Sequence, residues 1–273
     1  MFLGDCLGHA ARFQAGSWGV SSLKPPLTTL CRGELLVNSA LIVAAGQGTR
    51  LGPQTDKLFL KIAGRPVVGH TWERFEKAAC VGEIIIVIRD GMQDTYHRLA
   101  NTLQFKKPFR LVAGGKERQD SVWNGLEALS PAAELVAIQD GARPCTSAQL
   151  ISATFLAARE TGAAVAAQRV TDTIKESEDG KVILRHLERA RFWAVQTPQS
   201  FRVEVIRRAL RAVRERGLLV TDDTAACDLI GQRVRLVESA EPNPKITVPR
   251  DVAYVEGLLR GSVAGQSPIA NRQ

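Results

Sequence analysis

From Ser39 onward the chain alternates short apolar runs with stretches of helical period, and that rhythm narrows the possible folds more than any other feature. Ser39–Ala45 (SALIVAA) and Glu83–Ile88 (EIIIVI) are too uniformly apolar for half-exposed strands. They fit strands covered on both faces, as in a parallel sheet. Further strands are predicted at Phe109–Val112, Glu134–Ile138, Ala163–Ala167, Phe192–Val195 and Val234–Val237. Helical periods fall at Val67–Lys77, Gln93–Thr102, Arg118–Leu129, Ser147–Thr161, Val203–Arg216 and from Pro249 to about Leu259. Strands separated by helices imply an α/β fold, with a mostly parallel, doubly wound sheet covered on both faces. Ligands of such sheets bind beyond the carboxyl ends of the strands, so chemistry is expected there.

Two segments break the rhythm. Residues 168–191 (QRVTDTIKESEDGKVILRHLERAR) are polar and hairpin-like around Asp179-Gly180, and read as an arm projecting from the sheet. Such an arm either packs on a second subunit or is a plain surface excursion. Residues 1–38 have no sustained period and hold Pro25-Pro26. They are either a disordered extension or an over-called start with the natural one near Val37; plastid import is the alternative. Residues 261–273 read as a polar tail.

Composition then limits the partners. The chain has 273 residues, 45% apolar and 23% charged, globular proportions that exclude wholesale disorder and fibrous repeats. Lys and Arg number 36 against 28 Asp and Glu, a net charge of +8. That sign admits nucleic acid, an anionic membrane or small polyanions. Nucleic acid is not expected: there is no helix-turn-helix signal or basic run, and only 5% aromatics leave little to stack on bases. A membrane is not expected either, since no apolar run approaches the roughly 20 residues of a spanning helix. Five scattered cysteines without C-x-x-C spacing argue for a reducing, cytoplasmic compartment.

Three post-strand loops hold the candidate chemistry. The first is Ala44-Ala45-Gly46-Gln47-Gly48-Thr49-Arg50-Leu51-Gly52, with Lys57 following. Small residues let the backbone approach a ligand closely, and its N–H groups can surround an anion. The second, Ala113-Gly114-Gly115-Lys116-Glu117-Arg118-Gln119-Asp120-Ser121, leads into a helix whose N-terminus suits an anion or a base carbonyl. The third, Gln139-Asp140-Gly141-Ala142-Arg143-Pro144, places an acid at a strand end. Asp140 could hold a hydroxyl, a ribose or a hydrated Mg2+, or merely cap a turn. His70, His97 and His186 show no ligand spacing, and no Ser-His-Asp arrangement is suggested.

These blocks, with V-T-D-T-I-K, Q-T-P-Q-S-F, T-D-D-T and N-P-K-I-T further on, resemble the 2-C-methyl-D-erythritol 4-phosphate cytidylyltransferases of the non-mevalonate isoprenoid pathway. The resemblance spans about residues 39 to 260, with the blocks in order. It implies a Rossmann-like sheet of nucleotidyltransferase type and a homodimer joined through the arm. It puts Ala44, Ala45, Gly46 and Gly48 at the CTP triphosphate, and Arg50 and Lys57 as transition-state cations. Gly115, Asp120 and Ser121 fall where the family meets cytosine and ribose. Asp140 and Gly141 match the loop touching the sugar and the methylerythritol. Thr173 and Arg189 match arm positions that cross to the neighbouring subunit's site. Thr197, Thr221 and Lys245 match the remaining substrate side, with Arg189 and Lys245 positioning the acceptor phosphate. Mg2+ is expected chiefly on the CTP phosphates, with Asp140 as its only candidate protein ligand.

Two departures stand out. The family often has Pro-Lys-Gln where this chain has Asp56-Lys57-Leu58, an extra acid that would weaken the field of Lys57. Arg191, close to Arg189, competes for the same assignment. The implied reaction is CMP transfer from CTP to methylerythritol phosphate. The competing readings are a ribitol-5-phosphate cytidylyltransferase, a sugar-1-phosphate nucleotidyltransferase using another base, and a non-catalytic nucleotide binder on the same fold.

Overall fold

The computed structural model describes residues 30–31, 34–35, 37–46 and 56–264. Its main sheet has seven strands: β1 (Val37–Ala44), β2 (Glu83–Ile88), β3 (Phe109–Ala113), β4 (Ala133–Asp140), β5 (Ala163–Arg169), β6 (Trp193–Arg202) and β7 (Arg235–Glu238). Seven helices accompany them: α1 (Val67–Lys77), α2 (Gln93–Leu103), α3 (Arg118–Glu127), α4 (Ala148–Thr161), α5 (Val203–Glu215), α6 (Asp223–Asp228) and α7 (Arg250–Ala264). The strand order is β7-β5-β6-β4-β1-β2-β3. All neighbouring pairs are parallel except those made by β6, which runs antiparallel to β4 and β5.

The exception has a local cause. No α-helix separates β5 from β6; the arm does, so the two strands form one long hairpin and the chain returns in the opposite direction. Strand β6 is also longer than the predicted Phe192–Val195. Its second half, Gln196-Thr197-Pro198-Gln199-Ser200, is polar enough to pass for a loop. It is nevertheless buried, because its side chains find partners: Gln196 Nε2 donates to Gln168 Oε1 at 2.8 Å and Ser200 Oγ to Thr154 Oγ1 at 2.9 Å. The Thr197–Pro198 peptide is cis, where the β5–β6 register shifts.

Alternate side chains of the strands feed two cores. Ala40, Ile42, Ile84, Ile86 and Ile88 pack against α1, α2, α4 and α7 through Trp72, Phe75, Tyr96, Phe155 and Val255. Leu41, Ile85, Val87, Val136 and Ile138 meet α3, α5 and α6 on the other face through Val122, Leu126, Ile206 and Leu210. Helix α5 shows how sequence sets this layer. Val205, Ile206, Ala209, Leu210 and Val213 are buried at helical spacing, and Leu210→Ala would cost about 2–5 kcal/mol. Its opposite face is not uniformly solvated arginine. Arg207 Nη2 donates to the Leu126 carbonyl at 2.6 Å, and Arg214 lies 4.7 Å from the Trp123 ring centroid. Helix α6 is unheralded in the pattern because it is a short turn, begun by Asp222, whose Oδ1 accepts from Ala225 N at 2.9 Å.

Candidate active site

In the sheet, β1 has β2 and β3 on one side and β4 on the other. This reversal of strand order opens a crevice at the carboxyl ends of β1 and β4, where a ligand has room between diverging connections. The loop after β1 begins there. Ala44 is buried in the core and does not line the crevice, whereas Ala45 and Gly46 do. Gly48 and Arg50 lie outside the described residues. Lys57 lines the same cavity. Its neighbour Asp56 is not left to oppose it: Asp56 ion-pairs with Arg89 and accepts from Leu58 N at 3.1 Å.

The loop after β3 lies against the first. A Cβ on Gly114 would come within 2.4 Å of the Ala45 Cβ, and one on Gly115 within 2.3 Å of the Asp120 Cβ. Only glycine allows both approaches. Ser121 is buried and accepts from Gly115 N at 3.0 Å through Oγ, which shapes the loop from inside. Asp120 closes a capping box at the start of α3: its Oδ2 accepts from Glu117 N at 3.1 Å. Gly115 and Ser121 line the cavity; Asp120 stands behind them.

Asp140, at the end of β4, is the electrostatic centre. Lys245 Nζ lies 2.9 Å from its carboxylate, Arg143 Nε 3.6 Å and Arg118 Nε 3.7 Å. Burial pushes the carboxyl up, but Lys245, Arg118 and Arg143 outweigh it and hold the group below its ordinary value. Arg118 continues inward to the fully buried Asp223, with Nη2 2.8 Å from Oδ2. Burial alone would lower the Arg118 guanidinium; the Asp223 charge reverses this and raises it. Lys245 is aimed by its own loop. Buried Asn243 donates to the Thr197 carbonyl at 2.8 Å and accepts from Thr146 Oγ1 at 2.9 Å, while Ile246 N donates to the Ala142 carbonyl at 2.9 Å.

This environment does not fit a metal held by protein. Asp140 is one carboxylate already neutralised by three cations, and among the described residues no three His, Cys, Asp or Glu side chains gather.

Two cavities meet at this cluster. One, of about 340 Å³, is lined by Ala45, Gly46, Lys57, Gly115, Ser121 and Gly141. The other, of about 280 Å³, is lined by Thr197, Thr221, Arg143 and Asp222. Both share Arg118, Asp140 and Lys245. Thr197 Oγ1 also accepts from Asp140 N at 3.1 Å, locking β6 to the end of β4. Arg118 and Arg143 were not singled out in the sequence, although both sit inside the quoted motifs.

The arm residues are not brought to either cavity within this chain. Arg189 lies in a short 3-10 turn and donates to the Thr171 carbonyl at 2.6 Å; Thr173, Arg189 and Arg191 are all exposed.

A family model described as 2-C-methyl-D-erythritol 4-phosphate cytidylyltransferase (IspD) matches residues 38–261. The chain belongs to that family. It is 40% identical over 224 residues to the cytidylyltransferase of Pelotomaculum thermopropionicum, covering 81% of this chain and 94% of the relative. It is 43% identical over 223 residues to the bifunctional IspD/IspF enzyme of Desulforudis audaxviator, of which it spans 56%. The crystal structure of 4-diphosphocytidyl-2C-methyl-D-erythritol synthase from Anaerococcus prevotii superposes with a TM-score of 0.73 at 29% identity, covering 82% of this chain and 99% of that one. That of the Thermus thermophilus cytidylyltransferase gives 0.65 at 31%, covering 81% and 98%. The expected sheet of nucleotidyltransferase type is therefore the observed one, and membership of the family makes the chain a cytidylyltransferase.

Proposed function

We propose that this cytidylyltransferase transfers CMP from CTP to 2-C-methyl-D-erythritol 4-phosphate. The observation that carries the reading is the pair of cavities joined at Lys245, Asp140 and Arg118. A nucleotide fits the glycine-lined cavity and a polyol phosphate fits its neighbour, with cations at the seam. An oxygen of the acceptor phosphate attacks the α-phosphorus of CTP, the bond to the bridging β-phosphate oxygen breaks, and pyrophosphate leaves from the opposite side. The monoester is already ionised near neutrality, so no general base is required. Two anions must meet, and the barrier falls as cations offset their repulsion and the charge spread at phosphorus.

In this proposal Lys57 and Arg50 face the reacting phosphorus. Gly115 and Ser121 frame the base, and Gly46 with Gly48 frames the triphosphate. Asp140 accepts from substrate hydroxyls while holding Lys245 toward the acceptor phosphate. Mg2+ belongs to the substrate and travels with the triphosphate. The arm serves a second copy of the chain in a homodimer. Val182, Ile183 and Leu184 on the arm are 68%, 53% and 59% exposed, an apolar group that a partner surface would cover. Thr173 and Arg189 would then complete the partner's site. Among the described residues no helix is long and apolar enough to cross a membrane, and the dispersed cysteines fit a cytoplasmic setting.

The test is product analysis. Purified protein with CTP, Mg2+ and methylerythritol phosphate should give one pyrophosphate per cytidylylated product. Consumption of CTP without the acceptor, or no product with it, contradicts the reading.

A further inference from the structure

Thr221 lines the acceptor cavity but sits on an exposed loop between α5 and α6. A loop of that kind is mobile unless its backbone groups are bonded. Here two consecutive residues of α3 hold it. Gln119 Nε2 donates to the Leu218 carbonyl at 2.8 Å, and Gln119 Oε1 accepts from Val220 N at 3.0 Å. One amide thus pairs both backbone groups, as a neighbouring strand would. Arg118 fixes the far end through Asp223. From the sheet side Gln199 completes the grip: its Nε2 donates to Asp222 Oδ2 at 2.9 Å and its Oε1 accepts from Asp223 N at 3.1 Å. Gln119 itself lines neither cavity.

We infer that Gln119 is a positioning residue for the acceptor, acting through the 218–223 segment to hold Thr221 at the cavity wall. The inference rests on the proposed function for the identity of the acceptor. Gln119 is only half-buried and has no charge to strand, so replacing it spares the fold. Arg118→Ala would leave Asp223 buried and unpaired, and could lose the fold for that reason alone.

The test compares Gln119→Ala and Gln119→Glu with wild type. In hydrogen exchange, the Val220 amide should lose protection in the Ala variant and keep most of it in the Glu variant, which retains the accepting oxygen. In steady-state kinetics, the KM for methylerythritol phosphate should rise about fivefold in the Ala variant and less in the Glu variant, with the KM for CTP unchanged. A merely structural role would lower the active fraction and leave both KM values alone. Unchanged Val220 exchange, an acceptor KM within twofold of wild type, or equal rises in both KM values would overturn the inference. Wild-type protein that forms no product contradicts the functional reading instead, and the exchange experiment still decides whether Gln119 holds the loop.

Discussion

The crevice at the ends of β1 and β4 and the arm between β5 and β6 both hold charged candidate residues, yet they are held in opposite ways. Around Asp140, each cation is fixed by bonds from distant parts of the chain: Arg118 by Asp223, Arg143 by the Asn243 carbonyl at 2.7 Å, and Lys245 by the Asn243 loop. On the arm the bonds are local. Arg185 pairs with Glu176 across the hairpin with Nε to Oε2 at 2.8 Å, Asp179 Oδ1 accepts from Lys181 N at 2.8 Å, and Arg189 Nη1 donates to the nearby Thr171 carbonyl at 2.6 Å. The crevice is preorganised by the chain's own core, which is what electrostatic catalysis needs. Among the described residues these side-chain bonds of the arm stay within it, and the proposed second copy would give Thr173 and Arg189 their target.

Lys57→Ala should break the crevice most severely, lowering kcat by about 10² or more if the ammonium contacts the transition state. Arg50→Ala should do the same. Stopped-flow or steady-state rates check both, and a kcat within twofold of wild type would remove either residue from the chemistry.

Asp140→Asn tests whether the cations depend on their shared carboxylate. It should lower stability by about 1–2 kcal/mol at neutral pH, less than a fully buried pair, because Lys245 remains 39% exposed. The folded carboxyl lies below its ordinary value, so its contribution is present above pH 3.8 and is lost as pH falls through the lower folded value. Denaturant melts should therefore show the gap between variant and wild type closing below pH 3.8. A constant gap would contradict the assigned charge state.

Arg189→Ala should spare the crevice and raise the acceptor KM about fivefold, with a small change in kcat. Mixing the Lys57→Ala and Arg189→Ala proteins sharpens the comparison. With acceptor held well below its KM, random exchange across a homodimer gives about a quarter of the sites intact and another quarter at about a fifth of wild-type efficiency, so kcat/KM should be about 0.3 of wild type. If the arm acts within its own chain, mixing restores no intact site and kcat/KM stays at about 0.1 of wild type.

The crevice was legible because its signals are local. Glycines after Ala44 and Ala113 and an acid after Gln139 stand directly behind apolar strands, and strand ends are where such a sheet binds. The supporting residues were not legible. Asn243, Gln119 and Asp223 act through partners about 50 to 100 positions away, and nothing in their own neighbourhood in the sequence announces this. Strand β6 was cut short for a related reason. Its polar half is buried through paired side chains, so neither apolarity nor alternation marks it. The arm was visible as a break in rhythm, although its bare Val182-Ile183-Leu184 group was read as polar surface.

The most direct measurement is pyrophosphate release with CTP and Mg2+ in the presence of methylerythritol phosphate or, separately, ribitol 5-phosphate. Turnover is expected with methylerythritol phosphate, and a kcat/KM at least about a hundredfold lower with ribitol phosphate. Equal or greater efficiency with ribitol phosphate, or no release with either, would contradict the proposed function.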